Sequence, residues 1–181
     1  MARLNIPTSV DDAPEESRAT LEVIGKRLGF VPNLHRLLAL SPETFSGFIQ
    51  LQSALGKTLD AKTRDSIALA VSQANGCRYC VCAHSHVAST FNGFSEDEIM
   101  LARGGESSDP YRQAAATFAR RVIETRGRVS DDDLRAVQDA GYTEKQVVEI
   151  IALSAQFLLT NFMNNVADTE VDFPEVANLP A

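Results

Sequence analysis

The sequence predicts an all-α protein of about eight or nine helices. Helix start and stop signals recur along the whole chain, and no alternating run of β-branched residues bounded by turns predicts a strand. The length of 181 residues suits a single domain, residues 1–181, that can bury a substantial core. Because tryptophan is absent and other aromatic residues are few, aliphatic side chains are expected to form most of that core.

Four helices are predicted in the first half of the chain. The first lies between Pro14 and Gly29. Ser41-Pro42, an N-cap followed by proline at the first helical position, opens the second. Asp60 can cap the third, and Asn75-Gly76 is a typical helix end. These signals predict helices over residues 15–28, 43–55, 60–74 and about 77–90.

Four more helices are predicted in the second half. Ser95-x-x-Glu98 and Thr143-x-x-Gln146 each match a capping box, in which two side chains bond to each other's backbone amides. Asp109-Pro110 and Ser130 supply two further helix starts. The predicted helices cover residues 95–104, 110–125, 130–140 and 143–167. The tail, residues 169–181, contains two prolines and is predicted to be extended.

A weak internal repeat links two of these helices. The segment Asp65-Ser-Ile-Ala-Leu-Ala-Val aligns with Glu149-Ile-Ile-Ala-Leu-Ser-Ala, and the same register places Asn161 and Asn164 opposite two cysteines. This pattern indicates a possible duplication of a helical hairpin, of which only the first copy carries thiols. Chance similarity between two amphipathic helices is the alternative.

Charge and hydropathy exclude several classes of partner. With a formal net charge of −7, the chain has no general attraction for nucleic acid or anionic lipid. The first ten residues have no apolar signal core, and no apolar run approaches the roughly 20 residues that a membrane span needs. We therefore expect a cytoplasmic protein with no nucleic-acid or membrane partner.

All three cysteines, Cys77, Cys80 and Cys82, lie within six residues. In a reducing compartment, clustered cysteines indicate redox chemistry or a metal site rather than a structural disulfide. A zinc site formed by Cys77, Cys80, Cys82 and a histidine is the metal alternative. Residues 80 and 82 point about 200° apart on a helix, so a tetrahedral site that used both would need a distorted helix start. Cys82 is expected in the core or at an interface.

The spacing of the segment predicts a reactive thiol. On one helix, Cys77 and Cys80 share a face and can form a disulfide, and His84 lies one turn beyond Cys80. The preceding helix folds back across Asn75-Gly76, so that Asp65 is expected level with residues 84–87. Its carboxylate can then face the imidazole of His84, directly or through a water.

This arrangement predicts peroxide chemistry. A helix N-terminus and a neighbouring histidine favour a thiolate at Cys80, and a carboxylate can orient that histidine. Attack of the thiolate on a peroxide leaves a sulfenic acid, with which Cys77 can condense. The sequence therefore predicts Cys80 as the attacking thiol, Cys77 as the resolving thiol, His84 as the base and Asp65 as its partner, with a helix-surface charge as the alternative for Asp65.

Four other polar residues are candidates for a role. His35 lies among leucines and is expected to pack in the core, and His86 is expected to be structural or interfacial. Asn161 and Asn164 lie on an otherwise apolar helix and need partners if they are buried. We interpret both as structural polar contacts, with a lining role at the active site as the second possibility.

The segment Asn75-Gly76-Cys77-x-x-Cys80-x-x-x-His84, with an acidic residue twelve positions before Cys77, resembles the alkylhydroperoxidase D-like group of the carboxymuconolactone decarboxylase superfamily. Residues 28–33, 94–98 and 171–174 are similar to its peroxidase-related branch. Two positions depart from the pattern: Asp65 stands where the family usually has glutamate, and Tyr79 stands where better-studied members have histidine.

The resemblance implies an all-helical fold in a homotrimer or homohexamer. It also implies a peroxidase, without a cofactor, that reduces hydroperoxides through a CxxC disulfide and serves antioxidant defence. A dithiol such as a lipoyl group or thioredoxin would then be the reductant. Two alternatives stay open: a zinc-binding or redox-sensing module without turnover, and a cofactor-free decarboxylase, although the decarboxylase branch typically lacks the cysteine pair.

Overall fold

The computed structural model describes residues 2–177, and within that range the regular elements are nine α-helices and no strand. The predicted all-α class is therefore confirmed. The helices are α1 Glu15–Leu28, α2 Asn33–Leu38, α3 Pro42–Leu55, α4 Ala61–Ala74, α5 Arg78–Asn92, α6 Glu96–Arg103, α7 Pro110–Glu124, α8 Asp131–Asp139 and α9 Glu144–Ala167.

Side-chain caps explain why the helix bounds follow the sequence signals so closely. At seven of the helix starts the side chain of the residue before the helix accepts a hydrogen bond from a backbone amide of the first turn, which satisfies a donor that the helix itself cannot use. These caps are Ser41, Asp60, Cys77, Ser95, Asp109, Ser130 and Thr143.

Two details of the predicted helices were wrong. The capping box at Ser95 is only half formed, because the carboxylate of Glu98 accepts hydrogen bonds from Ser107 and Ser108 instead of returning to the N-cap. The six-residue helix α2 was not predicted. It starts after Pro32, which has no side chain to cap it, so no capping signal marks it.

Helix α9 lies at the centre of the fold and packs against α2, α3, α4, α5, α7 and α8. The main core forms between α4, α7 and α9, where the largest buried side chains include Ile67, Phe118, Ile150 and Leu153. Because α9 runs without a break from Glu144 to Ala167, it does not fold back into a second hairpin. The proposed duplication of a hairpin is therefore wrong at the level of structure.

Helix α9 also corrects the expectation that no segment is apolar enough to span a membrane. By length and composition alone it could do so, with a mean hydropathy of 1.4 over 18 residues. The core helix of a globular bundle passes the same test, and α9 buries the polar side chains Gln156, Asn161 and Asn164 among its neighbours. Its position is that of a core helix.

After α9 the chain crosses the surface without forming a helix as far as Ala177. This segment, residues 169–177, is called the tail strap below. The predicted extended tail also included residues 178–181, which lie outside the described residues. The strap returns to the start of α5, and it thereby reaches the cysteine cluster.

Candidate active site

The turn between α4 and α5 places Cys77 at a helix start. Gly76 has a φ of 61°, a left-handed conformation that glycine adopts without strain, and the turn closes when the amide of Cys77 donates to the carbonyl of Ser72 at 3.0 Å. Cys77 is then the N-cap of α5, and its Sγ accepts from the amide of Cys80 at 3.3 Å. The structure thus brings the two predicted thiols together at one helix turn.

Cys77 and Cys80 are both free thiols, 0% and 2% exposed, and they differ in acidity. A hydrogen bond from Cys77 lowers the pKa of the Cys80 thiol, in spite of burial, which acts to raise it. The same hydrogen bond, together with burial, raises the pKa of Cys77. The two pKa shifts are opposite in direction, so Cys80 is the more acidic of the two thiols.

Helix α9 supplies further polar groups around the Cys80 sulfur. The Nδ2 of Asn164 donates to Sγ at 3.3 Å, and this bond, with smaller contributions from Asn161 and Thr160, also lowers the pKa of the thiol. Thr160 has a single hydroxyl proton, which it gives to the carbonyl of Phe157, so we regard the amide of Asn164 as the main donor from α9. The second possibility for Asn164, a position at the site, is the one observed.

Asn161, in contrast, is a structural contact. Its side chain is fully buried, its Oδ1 accepts from the amide of Asn75 at 3.0 Å, and its Nδ2 donates to Ser72 at 3.3 Å. These bonds tie α9 to the end of α4, directly before the cysteine turn. Asn161 therefore holds the turn in place.

His84 has no hydrogen bond to Cys80 or to Asp65 among the described residues. Its ring packs edge-on against Phe157, with 5.1 Å between centroids, and burial lowers the pKa of the imidazole to about 4. The side chain is therefore neutral at pH 7 and does not form an imidazolium–thiolate pair in this structure. Within residues 2–177, the thiolate is favoured by neutral hydrogen-bond donors.

Asp65 lies near the start of α4 but is not level with residues 84–87. Its Oδ2 accepts from the amide of Asn92, the last residue of α5, at 2.6 Å. The carboxylate is 8% exposed, and burial raises its pKa to about 6, although the bond from Asn92 opposes this shift. The carboxylate–histidine contact was expected to be direct or through a water; the structure instead shows a carboxylate–amide contact further along the helix.

Cys82 is 1% exposed and lies in the core, as expected. Among residues 2–177 no group of three histidine, cysteine, aspartate or glutamate side chains converges as metal ligands would. The zinc alternative therefore has no ligand set in the described part of the chain.

The tail strap covers the cysteine turn. The phenol of Tyr79 donates to Asp172 at 2.8 Å, the backbone amide of Asn33 donates to the same carboxylate at 2.7 Å, and Phe173 packs against the Tyr79 ring with 5.7 Å between centroids. Val171 and Phe173 lie against the cluster of buried side chains that contains both thiols. Sequence reasoning missed this role of Tyr79, although a buried phenol always needs a polar partner.

The remaining histidines have no contact with the thiols. His35 packs beside Phe45, and burial lowers the pKa of its imidazole to about 4, which agrees with the expected core position. His86 packs against Phe173 and Phe91. It therefore contributes to the surface on which the strap rests.

Fold and site together define an all-α protein in which a helical hairpin presents a buried CxxC pair of unequal acidity. Residues 42–125, which include this hairpin, match the model of the carboxymuconolactone decarboxylase family. This segment is similar to that family, and the chain has the AhpD-like fold. The resemblance inferred from the sequence is thereby confirmed.

Solved structures extend the likeness to nearly the whole chain. An alkylhydroperoxidase AhpD core protein of Ralstonia eutropha JMP134, described as an uncharacterized peroxidase-related protein, is 26% identical, with a TM-score of 0.84 and 94% of this chain and 92% of that chain covered. A peroxidase-related protein of Silicibacter sp. TM1040 is 21% identical, with a TM-score of 0.81 and coverages of 93% and 91%.

The debrominase Bmp8 has the same fold, at 23% identity, a TM-score of 0.79 and coverages of 94% and 92%. The likeness to the Silicibacter protein and to Bmp8 shows the fold alone. No curated protein matches the chain. The fold thus occurs in proteins with more than one described activity.

Proposed function

We propose that this protein is a thiol peroxidase that reduces hydroperoxides through a Cys77–Cys80 disulfide. The observation that carries the proposal is a pair of buried thiols at one helix turn, where the Cys80 sulfur accepts a hydrogen bond from Asn164. The pKa of Cys80 is lowered and that of Cys77 is raised, so Cys80 is expected to be the nucleophile. A thiolate next to a second thiol is the arrangement that two-cysteine peroxide chemistry requires.

In the proposed reaction the hydroperoxide oxidises the two cysteines to a disulfide and is itself reduced to an alcohol and water. The Cys80 thiolate attacks the terminal oxygen of the hydroperoxide, an S–O bond forms, the O–O bond breaks, and the alkoxide leaves and takes up the proton that Cys80 had lost, giving an alcohol. The Cys77 sulfur then attacks Cys80, an S–S bond forms, the S–O bond breaks, and hydroxide leaves with the Cys77 proton as water. An external dithiol reduces the disulfide and restores both thiols.

The roles of His84 as the base and of Asp65 as its partner remain predictions. A neutral imidazole in the same hairpin as the thiols can accept a proton during the reaction, but a pKa of about 4 makes it a weak base. If His84 is the base, His84→Ala lowers the rate of Cys80 oxidation at pH 7, and if it only packs against Phe157 the variant loses stability without a change in the pH profile.

The dithiol reductant, the homotrimeric or homohexameric assembly and the cytoplasmic location also stay predictions. The single chain leaves several apolar side chains of α9 exposed, among them Val148, Phe162 and Val166. Light scattering coupled to size exclusion will give the mass of the assembly.

Thiol counting tests the proposed function. In the unfolded, acid-quenched protein, one equivalent of cumene hydroperoxide should remove two of the three thiols, and dihydrolipoamide should restore them. Cys80→Ser should lose none, Cys77→Ser should hold a sulfenic acid that dimedone captures, and Cys82→Ser should still lose two. Full retention of all thiols in the wild type would overturn the proposal.

Two rival functions give other results in the same experiments. Zinc found by metal analysis in stoichiometric amount, with thiols that resist peroxide, would favour a binding module. Turnover of a lactone acid without any loss of thiols would favour a decarboxylase. A tribrominated pyrrole, the compound bound to a Bmp8 variant, serves as a further substrate control.

A further inference from the structure

Among the described residues, the side-chain amide of Asn164 makes a hydrogen bond through its nitrogen but not through its oxygen. It is 3% exposed and projects from α9 to the Cys80 sulfur, to which its Nδ2 donates at 3.3 Å. Its Oδ1 is buried and accepts no hydrogen bond within the described part of the chain. A buried carbonyl oxygen without a donor is costly, so its retention beside a nucleophile calls for an explanation.

The orientation of this amide suits a thiolate at Cys80. A thiolate accepts hydrogen bonds, so the amide turns its N–H toward Cys80 and its oxygen away from it. The oxygen is bonded to the same carbon as Nδ2 and therefore stays within a few ångströms of the sulfur. The position that a reacting group must occupy at Cys80 is thus also within reach of a free acceptor.

The neighbouring polar groups already take part in hydrogen bonds. The Oδ1 of Asn161 accepts from Asn75, and the hydroxyl of Thr160 donates to Phe157. The Sγ of Cys77 accepts from the amide of Cys80. Among these four side chains around the nucleophile, the Oδ1 of Asn164 is the one buried polar atom without a hydrogen bond to any described residue.

We propose that Asn164 is a substrate-positioning residue that acts with both ends of its amide: Nδ2 holds the Cys80 thiolate, and Oδ1 accepts the hydrogen bond from the O–H of the incoming hydroperoxide. This inference rests on the proposed peroxidase function. A hydroperoxide carries its O–H on the terminal oxygen, the atom that the thiolate attacks, so one amide aligns the nucleophile with its target. The substrate class that fits is a compound with a free O–O–H group. A dialkyl peroxide lacks the donor.

A comparison of two reagents tests the proposal. Hydroperoxides have the O–H donor, whereas iodoacetamide alkylates the same thiolate at carbon and has no O–O–H group. A change in the thiolate population affects both rates alike. The ratio of the two second-order rate constants at Cys80 therefore measures the contribution of the hydrogen bond between the hydroperoxide and the acceptor oxygen. Both rates are measured in the full chain by stopped flow and mass spectrometry, with cumene hydroperoxide as the peroxide.

Two variants separate the two ends of the amide. Asn164→Leu removes donor and acceptor and should lower the ratio of peroxide to iodoacetamide rates at least tenfold. Asn164→Asp keeps an acceptor oxygen but loses the donor, so the thiolate population at pH 7 should fall while the ratio stays within about threefold of wild type. Asn165→Leu, at the adjacent exposed position that donates to Asn75, is the matched control and should leave the ratio unchanged.

The outcomes distinguish this inference from the function on which it rests. A wild-type protein that forms no sulfenic acid with any hydroperoxide overturns the proposed function and this inference with it. A reactive wild type whose ratio is unchanged in Asn164→Leu, or reduced equally in Asn164→Asp, overturns the role of Asn164 alone. If Asn164→Leu does not fold, Asn164→Ser, which has a shorter acceptor, is used in its place, and its ratio is expected to fall at least threefold.

Discussion

The amide of Asn92 donates to the Oδ2 of Asp65 at 2.6 Å and joins the last residue of α5 to the start of α4. The contact connects the two ends of the hairpin that lie far from the cysteine turn. It satisfies a buried carboxylate with a neutral donor, and the pKa of that carboxylate is still raised, to about 6. Asp65 therefore makes the free energy of unfolding depend on pH.

Asp65→Asn should remove that dependence. A carboxyl whose folded-state pKa is raised favours folding at low pH, and this contribution is lost as the pH rises from about 4 to about 6. Relative to wild type, Asp65→Asn should gain up to about 3 kcal/mol of unfolding free energy between pH 4 and pH 7.5. Urea titrations at the two pH values measure this, and Asn92→Leu, which removes the opposing bond, should move the window to higher pH. A constant difference between Asp65→Asn and wild type would contradict the prediction.

His35 makes the free energy of unfolding depend on pH with the opposite sign to Asp65. Its folded-state pKa of about 4 lies below the ordinary value of 6.5, so the unfolded chain binds a proton that the folded chain does not, and stability is lost as the pH falls through this interval. Relative to His35→Leu, wild type should lose up to about 3 kcal/mol between pH 7 and pH 4. His84→Leu should show the same direction. If the difference in unfolding free energy between wild type and each variant is the same at both pH values, the prediction is wrong.

Cys77 controls the acidity of Cys80. Because the hydrogen bond from Cys77 is the largest cause of the lowered pKa of Cys80, Cys77→Ala should raise that pKa. Cys77→Ser, which keeps a hydroxyl donor, should raise it less. Thiolate absorbance at 240 nm, with Cys80→Ser as the blank, measures both titrations, and equal values for the two variants would exclude this explanation.

The tail strap should limit access to the thiols. Phe173 packs on Tyr79 and closes the buried cluster that contains Cys80, which is itself 2% exposed. Phe173→Ala should therefore increase the rate at which Ellman's reagent modifies Cys80 several-fold, with little change in its thiolate population. Phe162→Ala, at an exposed position on α9, is the control for loss of a phenylalanine. Equal rates in wild type and Phe173→Ala would show that the strap is no barrier.

Tyr79 anchors the strap through its phenol. Its O–H donates to Asp172, and its oxygen also accepts from the amide of Leu34 at 3.1 Å. Tyr79→Phe leaves that carboxylate with one donor fewer and the amide with none, so it should cost about 1–3 kcal/mol of unfolding free energy. Chemical denaturation at pH 7 provides the value, and a cost below about 0.5 kcal/mol would mean that water replaces the phenol.

Local signals in the sequence predicted most of the fold and half of the site. The caps at Ser41, Asp60 and Thr143 each act within one helical turn, so a short window of sequence contains all the information they need. The proximity of Cys77 and Cys80 follows from helical geometry in the same way. Helix α2 was not predicted, because a six-residue segment after proline has no capping side chain and is too short to show a helical period of apolar residues.

The contacts of the site that cross the fold could not be predicted. Asn164 is 84 positions from Cys80, and Asp172 is 93 positions from Tyr79. The expected position of Asp65 was wrong, because its carboxylate contacts Asn92 at the end of α5 and not residues 84–87. What the sequence did show was a pair of asparagines on an apolar helix, and buried polar side chains on such a helix must find partners somewhere.

The distance along the chain between Asn164 and Cys80 has a consequence during synthesis. The hairpin that contains both thiols leaves the ribosome well before α9 is made, and local helices form faster than contacts between remote segments. Until α9 docks, Cys80 lacks its amide donor and the cover of the tail, and is an ordinary exposed thiol next to two others. A nascent chain that stalls before residue 144 would thus be open to random oxidation at the cysteines that the finished protein encloses.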